Sequence, residues 1–483
     1  MKTAELDPAL NQCPADPRHI HLIGICGTGM AAMAAMLQQQ GFAVTGSDEN
    51  VYPPMSVFLE QLGIEVMAGY RAQNLATEPD LVIVGNVVRR TNPEAVELAR
   101  LGIAYLSMPQ ALAHFFLTGK KSLVVAGTHG KTTTSSLLAT TLHRMGATPG
   151  FMIGGLVEAF GRNSNISDGE YFVVEGDEYD TAFFNKVSKF QHYRPFAAIL
   201  TSVEFDHADI FADLEAIKAS FAEFIGRIPT GGALVAHIED PVVAELAAAH
   251  AICPVIGYGT SPACEWWLDE LSVNGLASEF TVFHREQRLG RCRLPMPGLH
   301  NCLNALAVIA LLHRFGFAFA DITDGLATFE GVKRRQQIRG VVRGVTVIDD
   351  FAHHPTAVRE TLNALRLAWP ANRLIVVFEP RTNSSRRAVF QRDYTRVFGA
   401  ADRILIREHI PLDTVSPEEQ FSSPQLAADL CALGKEARSF ADTDAILEAL
   451  AETCQSGDVV VILSNGGFDG IHERLLALLG QSV

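Results

Sequence analysis

The 483-residue chain is too long for one ordinary hydrophobic core, so its length predicts roughly two to four domains. Charged residues make up 19% of the chain and hydrophobic residues 48%, which is typical of a globular protein rather than a disordered one. The net charge of −15 argues against a nucleic-acid-binding protein, which usually has a basic face.

Membrane and secretion signals are also missing from the sequence. No apolar run approaches the roughly 20 residues that span a bilayer, and the N-terminal residues lack the hydrophobic segment of a signal peptide. The cysteines are scattered, with no Cys-x-x-Cys pair, so we expect reduced thiols. The sequence therefore predicts a cytoplasmic protein with neither a nucleic-acid nor a membrane partner.

The first block of the chain alternates short apolar strands with helices. We predict strands at His19–Ile23, Phe42–Thr45 and Leu81–Val84, and a helix from about Met30 to Gln40. This alternation indicates parallel βαβ units and a doubly wound α/β domain, to which we give residues 1–118.

A glycine-rich turn follows the first predicted strand and comprises Gly24, Gly27, Thr28 and Gly29. It is similar to a dinucleotide-binding turn but does not follow the Gly-x-Gly-x-x-Gly order. Asp48 and Asn86, at the ends of the next two strands, lie where ribose or base contacts are made in such folds. A diphosphate at the helix N-terminus is the functional interpretation, and a tight turn without a ligand is the alternative.

The second block, residues 119–339, opens with a phosphate-binding pattern. An apolar run ends at Ala126, and a Gly-x-x-Gly-Lys-Thr loop follows, made of Gly127, Thr128, His129, Gly130, Lys131, Thr132 and Thr133. Glycines let backbone N–H groups turn inward, Lys131 supplies a positive charge, and the Thr132 hydroxyl can hold Mg²⁺. We predict that ATP binds to this loop, and that a helix follows it.

Two acidic clusters follow the next predicted strands, Tyr171–Val174 and Ala197–Leu200. In open α/β sheets, ligands bind beyond the carboxyl ends of the strands. We therefore predict that Glu175 shares a Mg²⁺ ion with Thr132 and the ATP phosphates, and that His207 contributes to a second ion. A solvated acidic turn is the alternative for Glu175. From about Gly232 to Pro297 the sequence predicts strands and turns.

Polar residues near the end of this block are further candidates for binding ATP. Asn301 and Asn304 are one helical turn apart and can bond the edge of one base, although a helix cap explains them nearly as well. Arg334 and Arg335 can pair with phosphate, and a charged linker is the alternative.

The third block, residues 340–483, is predicted to be another α/β unit. Its predicted strands are Gly344–Ile348, Leu374–Val377, Ala401–Ile406 and Val459–Leu463. Polar residues follow three of these strands closely: Asp349, Asp350, His353, Arg381, Asn383, Ser464 and Asn465. The aspartates and His353 suit ribose hydroxyls or a nucleophilic amine, and Arg381 can clamp a carboxylate. Ser464 and Asn465 offer polar contacts on a flexible glycine-containing loop.

In their order along the chain, these motifs resemble those of the Mur ligase family over essentially the whole sequence. The matching segments are Gly24–Gly29, Gly127–Thr133, Glu175–Glu178, Asp206–His207, Gly298–Ala305, Arg334–Arg335 and Asp349–Pro355. The resemblance implies three domains: a Rossmann-like one for the UDP end of the substrate, a P-loop ATPase-like one with a mostly parallel sheet, and a C-terminal Rossmann-like one for the incoming amine.

The resemblance also implies ATP-dependent amide formation on UDP-N-acetylmuramate through an acyl phosphate. Three segments, Val51–Ser56, Glu379–Asn383 and Ser464–His472, favour a larger amine, the tripeptide L-alanyl-γ-D-glutamyl-meso-diaminopimelate, with tetra- and pentapeptides as further candidates. Addition of L-alanine in de novo synthesis is the alternative, and a non-enzymatic nucleotide-binding regulator is another. We expect a monomer or a weak homodimer.

Individual roles are implied in the same way. Lys131 is expected to be catalytic, and His207 or Asp350 to be the base for the amine. Two positions depart from the family pattern. Ser202 replaces a common asparagine, and Ala222 occupies the position of a carbamylated lysine found in other branches, with Lys218 the nearest lysine.

Overall fold

The computed structural model describes residues 2–53, 55–413 and 415–481 and contains two compact units. The first unit comprises the residues up to Leu156, with 160–203 and 215–257. The second comprises 157–159, 204–214 and the residues from Tyr258 onward. Pro54, in the segment Val51–Ser56, lies outside the described residues. Among the helices that are described, none is long and apolar enough to cross a membrane.

The first unit begins with a parallel sheet of five strands. The strands are β1 (His19–Ile23), β2 (Ala43–Asp48), β3 (Glu65–Ala68), β4 (Leu81–Val84) and β5 (Ala104–Ser107). The helices are α1 (Thr28–Gln39), α2 (Met55–Gln61), α3 (Pro93–Leu101) and α4 (Met108–Leu112). The strand order β3-β2-β1-β4-β5 is doubly wound, and ligands bind where the order reverses, beside β1. The Rossmann-like prediction is confirmed, with β2 continuing to Asp48.

A second sheet of this unit is arranged around β6 (Lys121–Ala126). Its further strands are β7 (Gly150–Val157), β8 (Arg162–Asn165), β9 (Tyr171–Gly176), β12 (Ala197–Leu200), β13 (Ala233–His237) and β14 (Val255–Gly259). The strands β10 (Asp180–Ala182) and β11 (Asn185–Ser188) form a separate antiparallel hairpin. The helices are α5 (Lys131–Arg144), α6 (Leu214–Gly226) and α7 (Pro241–His250). β6 lies between β9 and β12 and is parallel to both, so the residues that follow these three strands share one edge.

Helix α7 corrects the prediction of strands and turns after Gly232. Asp240 caps it, since its carboxylate accepts hydrogen bonds from the backbone N–H groups of Val242 (2.9 Å) and Val243 (3.2 Å), and Pro241 takes the first helical position. An acidic cap followed by proline is a helix start signal. The sequence therefore carries the start signal of this helix, although the apolar residues of α7 also resemble a buried strand.

The second unit contains an antiparallel meander and a six-stranded sheet. The meander is β15 (Trp266–Asn274), β16 (Ala277–His284) and β17 (Gln287–Leu294), followed by α8 (Leu299–Arg314) and α9 (Phe319–Ala327). The sheet strands are β18 (Gln337–Val342), β19 (Val345–Asp350), β20 (Leu374–Phe378), β21 (Arg403–Arg407), β22 (Glu436–Phe440) and β23 (Val459–Leu463).

The six-stranded sheet has the order β18-β19-β23-β20-β21-β22, and only β18 is antiparallel to its neighbour. Helices α10 (Pro355–Ala368), α11 (Gln391–Val397) and α12 (Ser423–Ala432) pack on one face, and α13 (Thr443–Thr453) and α14 (Ile471–Gln481) on the other. Strands β20 and β23 are buried along their whole length, as expected of apolar runs covered on both faces. The predicted C-terminal α/β fold is confirmed.

Candidate active site

The phosphate loop lies between β6 and α5 and is fixed against the end of β12. Gly127 has a φ of +134°, and a Cβ on it would lie 2.2 Å from the hydroxyl oxygen of Thr201, so only glycine fits. The backbone N–H of Thr128 donates to the Ser202 carbonyl (2.9 Å), and that of His129 donates to the Ser202 hydroxyl (3.1 Å). The serine at this position therefore still contacts the loop through its side chain.

Lys131 is held at the start of α5 by a buried carboxylate. Its ammonium donates to both carboxylate oxygens of Glu178 (2.9 and 2.8 Å) and to the carbonyls of Gly127 (2.7 Å) and Thr128 (3.2 Å). Burial alone would lower the pKa of Lys131, but the carboxylates of Glu178 and Asp177 reverse this effect and raise it. The lysine therefore keeps its positive charge although its side chain is mostly buried.

Glu178 is a residue to which the sequence assigned no role of its own. Only its membership of an acidic cluster after β9 pointed to it, and the ion pair depends on β9 lying beside β6. A buried ion pair that loses one partner is strongly destabilised. Glu178 is 2% exposed, so it is part of the structure that fixes Lys131.

Thr132 and Glu175 meet at the same edge, as the sequence predicts. The Thr132 hydroxyl donates to one carboxylate oxygen of Glu175 (2.8 Å), and the other accepts the backbone N–H of Gly154 (2.7 Å). A hydroxyl beside a carboxylate offers hard oxygen ligands of the kind that Mg²⁺ prefers. Gly130, at the cap position of α5, has no side chain to occupy the helix N-terminus, which suits an anion.

His207 lies in the second unit, on the segment 204–214. Its backbone has a φ of +55°, and its N–H donates to Asp206 (2.6 Å). Burial would raise the pKa of Asp206, but the imidazoles of His207, His353 and His354 lower it well below its usual range. The structure thus brings two predicted residues, His207 and His353, close to one carboxylate.

The loop after β20 contacts this same segment. The Asn383 amide donates to the Asp209 carboxylate (2.9 Å), and the Ser384 hydroxyl accepts the backbone N–H of Ala208 (3.3 Å). Asn383 was predicted to contact a peptide, and here its NH₂ group contacts the His207 segment instead of projecting freely. Its carbonyl oxygen accepts a hydrogen bond from Arg386 (3.3 Å).

The two aspartates that end β19 have different surroundings. Asp349 contacts Arg334 (3.4 Å), Arg339 (3.2 Å) and His472 (3.3 Å); burial would raise its pKa, and His472 and Arg334 lower it. Asp350 accepts the backbone N–H groups of Gln336 and Ala352, both at 2.8 Å. Burial raises the pKa of Asp350 in spite of the nearby Arg335 charge.

Arg334 and Arg335 are part of the folded site rather than a solvated linker. Arg334 donates to the carbonyls of Ser464 (2.6 Å) and Gly466 (2.7 Å), and the Arg335 guanidinium lies 4.9 Å from the centre of the Phe351 ring. The His353 imidazole is 3.0 Å from the Phe351 carbonyl. Arg334, Asp349 and Ser464 are thereby brought together at one edge of the sheet.

Asn301 and Asn304 are both buried, at 2% and 6% exposure. The Asn301 amide donates to the Pro297 carbonyl (2.8 Å) and to the Gln336 side chain (3.3 Å). Because Gln336 also donates to Asp350, Asn301 is linked to the end of β19 through one residue.

The residues predicted to bind the peptide lie after β20 and β23. Arg381 packs over Gly466, where a Cβ would lie 2.3 Å from the Arg381 Nε. The Ser464 hydroxyl donates to Glu379 (2.5 Å), and the buried carbonyl oxygen of the Asn465 side chain has no hydrogen-bond partner in the described part of the chain. Arg381 and Asn465 therefore follow two neighbouring strands, β20 and β23.

The glycine-rich turn after β1 is closed by Asp48. The carboxylate accepts the backbone N–H of Cys26 (2.9 Å), Gly24 has a φ of +86°, and α1 begins at Thr28 with Gly27 at its cap position. Asn86 follows the neighbouring strand β4.

Tyr70 at this turn was missed by the sequence analysis. Its hydroxyl lies beside Gly24, and burial together with the Asp48 charge raises the pKa of Tyr70 to about 12. Only the preceding Gly69 marked the position as a turn.

Comparison with known proteins gives the family. Three family models match successive parts of the chain: the Mur ligase family catalytic domain over residues 19–119, the Mur ligase middle domain over 125–312, and the Mur ligase glutamate ligase domain over 334–466.

Individual relatives match almost from end to end. The chain is 40% identical over 460 residues to the UDP-N-acetylmuramate–L-alanyl-γ-D-glutamyl-meso-2,6-diaminoheptandioate ligase of Escherichia coli, covering 95% of this chain and 97% of that protein. It is 34% identical over 465 residues to the UDP-N-acetylmuramate–L-alanine ligase of Syntrophus aciditrophicus, covering 96% and 94%. The crystal structure of a murein peptide ligase from Psychrobacter arcticus matches with a TM-score of 0.71 and 34% identity, covering 96% of this chain and 99% of that one. In sequence and in fold, this chain belongs to the Mur ligase family.

Proposed function

We propose that the chain is an ATP-dependent ligase that joins L-alanyl-γ-D-glutamyl-meso-diaminopimelate to UDP-N-acetylmuramate in peptidoglycan recycling. The observation that carries the proposal is 40% identity, over 95% of the chain, to a ligase named for this reaction. The identity to an L-alanine ligase of similar coverage is lower, at 34%. The arginines after β20 are consistent with an amine substrate that carries carboxylates.

The first chemical step is phosphoryl transfer at the loop Gly127–Thr133. The lactyl carboxylate of UDP-N-acetylmuramate attacks the γ-phosphorus of ATP, the bond to the β-phosphate breaks, and an acyl phosphate and ADP result. Lys131 and the loop amides stabilise the charge that develops on the transferred group. Thr132 and Glu175 would hold Mg²⁺, whose charge neutralises phosphate oxygens.

The second step forms the amide. The L-alanyl amine attacks the acyl carbon, phosphate leaves, and the amine nitrogen loses a proton to a base. His207 and Asp350 are the candidates for this base. The raised pKa of Asp350 suits a proton acceptor, whereas its hydrogen bonds to Gln336 and Ala352 already occupy its oxygens. His207 is the alternative, and it is also the proposed ligand of a second Mg²⁺.

Substrate binding is divided among three proposed domains, residues 1–118, 119–339 and 340–483. In the first, the N-terminus of α1 and the turn at Gly24 would receive the UDP diphosphate, with Asp48, Asn86 and Tyr70 around it. In the third, Arg381, Asn383, Ser464 and Asn465 would receive the peptide. We propose a cytoplasmic enzyme that is a monomer or a weak homodimer.

One assay tests the function directly. The purified chain is incubated with UDP-N-acetylmuramate, ATP and Mg²⁺, with either the tripeptide or L-alanine, and both phosphate release and product mass are recorded. We expect turnover with the tripeptide and little with L-alanine. Preference for L-alanine would contradict the proposal and favour de novo synthesis, and no product with either amine would favour a non-enzymatic regulator.

Replacing the loop lysine should abolish most of the activity. Lys131→Ala removes the charge beside the transferred phosphoryl group, so we expect kcat to fall by about 10²–10³-fold or more. Phosphate release measures the loss, and Lys186→Ala, at a side chain that is 64% exposed, is the control. Activity retained in Lys131→Ala would contradict the ATP site.

Replacing His207 should change the metal requirement. Glycine is the suitable replacement, because it removes the imidazole and tolerates the φ of +55°. We expect the Mg²⁺ concentration for half-maximal activity to rise by about tenfold or more in His207→Gly. The exposed His250 supplies a control, His250→Gly. A Mg²⁺ titration that matches the wild type would remove His207 from the metal site.

Replacing Arg381 should weaken peptide binding selectively. Loss of a charged hydrogen bond to a carboxylate corresponds to a rise of about 10- to 100-fold in the KM for the tripeptide. The KM for ATP should stay close to that of the wild type, as should both constants in the control Arg359→Ala, whose side chain is 48% exposed. Equal rises in the two KM values of Arg381→Ala would mean that the arginine is structural.

A further inference from the structure

Glu94 is a fully buried acid on the first turn of α3, in the first unit. Its backbone is fixed there, because the Asn92 side chain accepts hydrogen bonds from the N–H groups of Glu94 (2.8 Å) and Ala95 (3.2 Å) and so caps the helix. Burying a carboxylate is costly unless hydrogen-bond donors compensate for the lost water. The donors around this carboxylate therefore show what it holds in place.

One oxygen of the Glu94 carboxylate reaches the strands beside the glycine-rich turn. Oε2 accepts the Ser47 hydroxyl (2.6 Å) and lies 3.4 Å from Nε2 of the His21 imidazole, which is buried in β1. The backbone carbonyl of Ser47 accepts the N–H groups of Gly24 (2.8 Å) and Ile25 (3.0 Å). Glu94 is therefore linked through Ser47 alone to hydrogen bonds that hold the turn.

The other carboxylate oxygen, Oε1, holds the loop after β3. It accepts the Asn74 amide (2.5 Å) and the backbone N–H of Arg71 (3.2 Å). The Asn74 amide also donates to the Gly69 carbonyl (3.0 Å), so this loop is fixed at both ends. Tyr70 lies between these contacts, and its hydroxyl is beside the glycine-rich turn. Tyr70 is thus placed at the turn by its neighbours on either side.

The groups that Glu94 connects are those that surround the proposed diphosphate site. They are the end of β2, which carries Asp48, and the loop that carries Tyr70. A carboxylate with donors on two strands and one loop is a rigid connection, because a donor that moved away would be left unsatisfied. Glu94 itself has no exposed surface, so it acts through these groups and does not touch the substrate. Supporting residues of this kind hold binding groups in a productive geometry.

We propose that Glu94 is a positioning residue for the UDP-sugar, which fixes the glycine-rich turn, Asp48 and Tyr70 in the geometry that binds the diphosphate. The inference rests on the proposed function and deepens it, since it names the residue behind the UDP-binding groups. Loss of the Glu94 carboxylate should weaken binding of the sugar nucleotide and leave the ATP site at Lys131 intact, because that site is built on a separate sheet.

Glu94→Gln tests the proposal, because it keeps the shape of the side chain but replaces one oxygen with an NH₂ group that faces donors. Titration calorimetry on the full-length chain measures the Kd for UDP-N-acetylmuramate, and steady-state kinetics measure both KM values. We expect the Kd and the KM for UDP-N-acetylmuramate to rise by about tenfold or more, while kcat and the KM for ATP stay within about twofold. Glu97→Gln, at a carboxylate of α3 that pairs with Arg100 (2.8 and 2.6 Å), is the matched control and should change none of these values.

Ser47→Ala isolates the link to the turn, because it removes only the hydroxyl that Glu94 accepts. We expect a smaller rise in the Kd for UDP-N-acetylmuramate, of about threefold or more. Adding Ser47→Ala to Glu94→Gln should raise the Kd little beyond the value for Glu94→Gln alone, since the hydroxyl acts through the carboxylate.

Unchanged Kd values for UDP-N-acetylmuramate in both variants would overturn the positioning role. Equal rises in the KM values for the two substrates would overturn it as well, because they would mean that the substitution only loosens the fold. If Glu94→Gln does not fold, the Kd of Ser47→Ala decides alone, and a value equal to that of the wild type overturns the proposal. A wild type that does not bind UDP-N-acetylmuramate would contradict the proposed function instead, so the two failures are distinguishable.

Discussion

The phosphate loop depends on one buried ion pair, that between Lys131 and Glu178. Removing an ammonium group from water is costly unless a carboxylate compensates for it, and losing one partner of such a pair costs about 3–5 kcal/mol. Glu178 is supplied by the strand next to β6, and Asp177 adds to its effect. The same edge supplies Glu175 to Thr132, and the other neighbour, β12, leads to Ser202, which holds the loop backbone. The position of β6 between these strands is thus what assembles the phosphate site.

A similar arrangement recurs in the C-terminal sheet with a different balance of charge. At the end of β19, Asp349 lies beside Arg334, Arg339 and His472. Glu379 follows β20 directly and lies 3.8 Å from Arg381 and 4.0 Å from Arg407. One buried carboxylate at each of these strands is thus shared between two arginines.

Much of the fold followed from the sequence, because strands buried on both faces are continuous apolar runs. β4, β12 and β23 were predicted to the residue, and the phosphate loop was located by its glycines and Lys131. Helix α7 was missed because its apolar residues outweighed the start signal at Asp240. The sequence also predicted that polar groups after neighbouring strands would gather, as Thr132 and Glu175 do.

Partnerships across strands could not be predicted in the same way. Which acid of the cluster after β9 meets Lys131 depends on register, and so does the packing of Tyr70 beside Gly24.

The central claim is that the loop at Lys131 transfers phosphate to the carboxylate of the sugar substrate. UDP-N-acetylmuramate labelled with ¹⁸O in both oxygens of its lactyl carboxylate, turned over with ATP and the tripeptide, tests it by mass spectrometry of the products. An acyl phosphate intermediate predicts that one labelled oxygen appears in the inorganic phosphate and the other stays in the amide. Unlabelled phosphate, or label in AMP, would contradict the account.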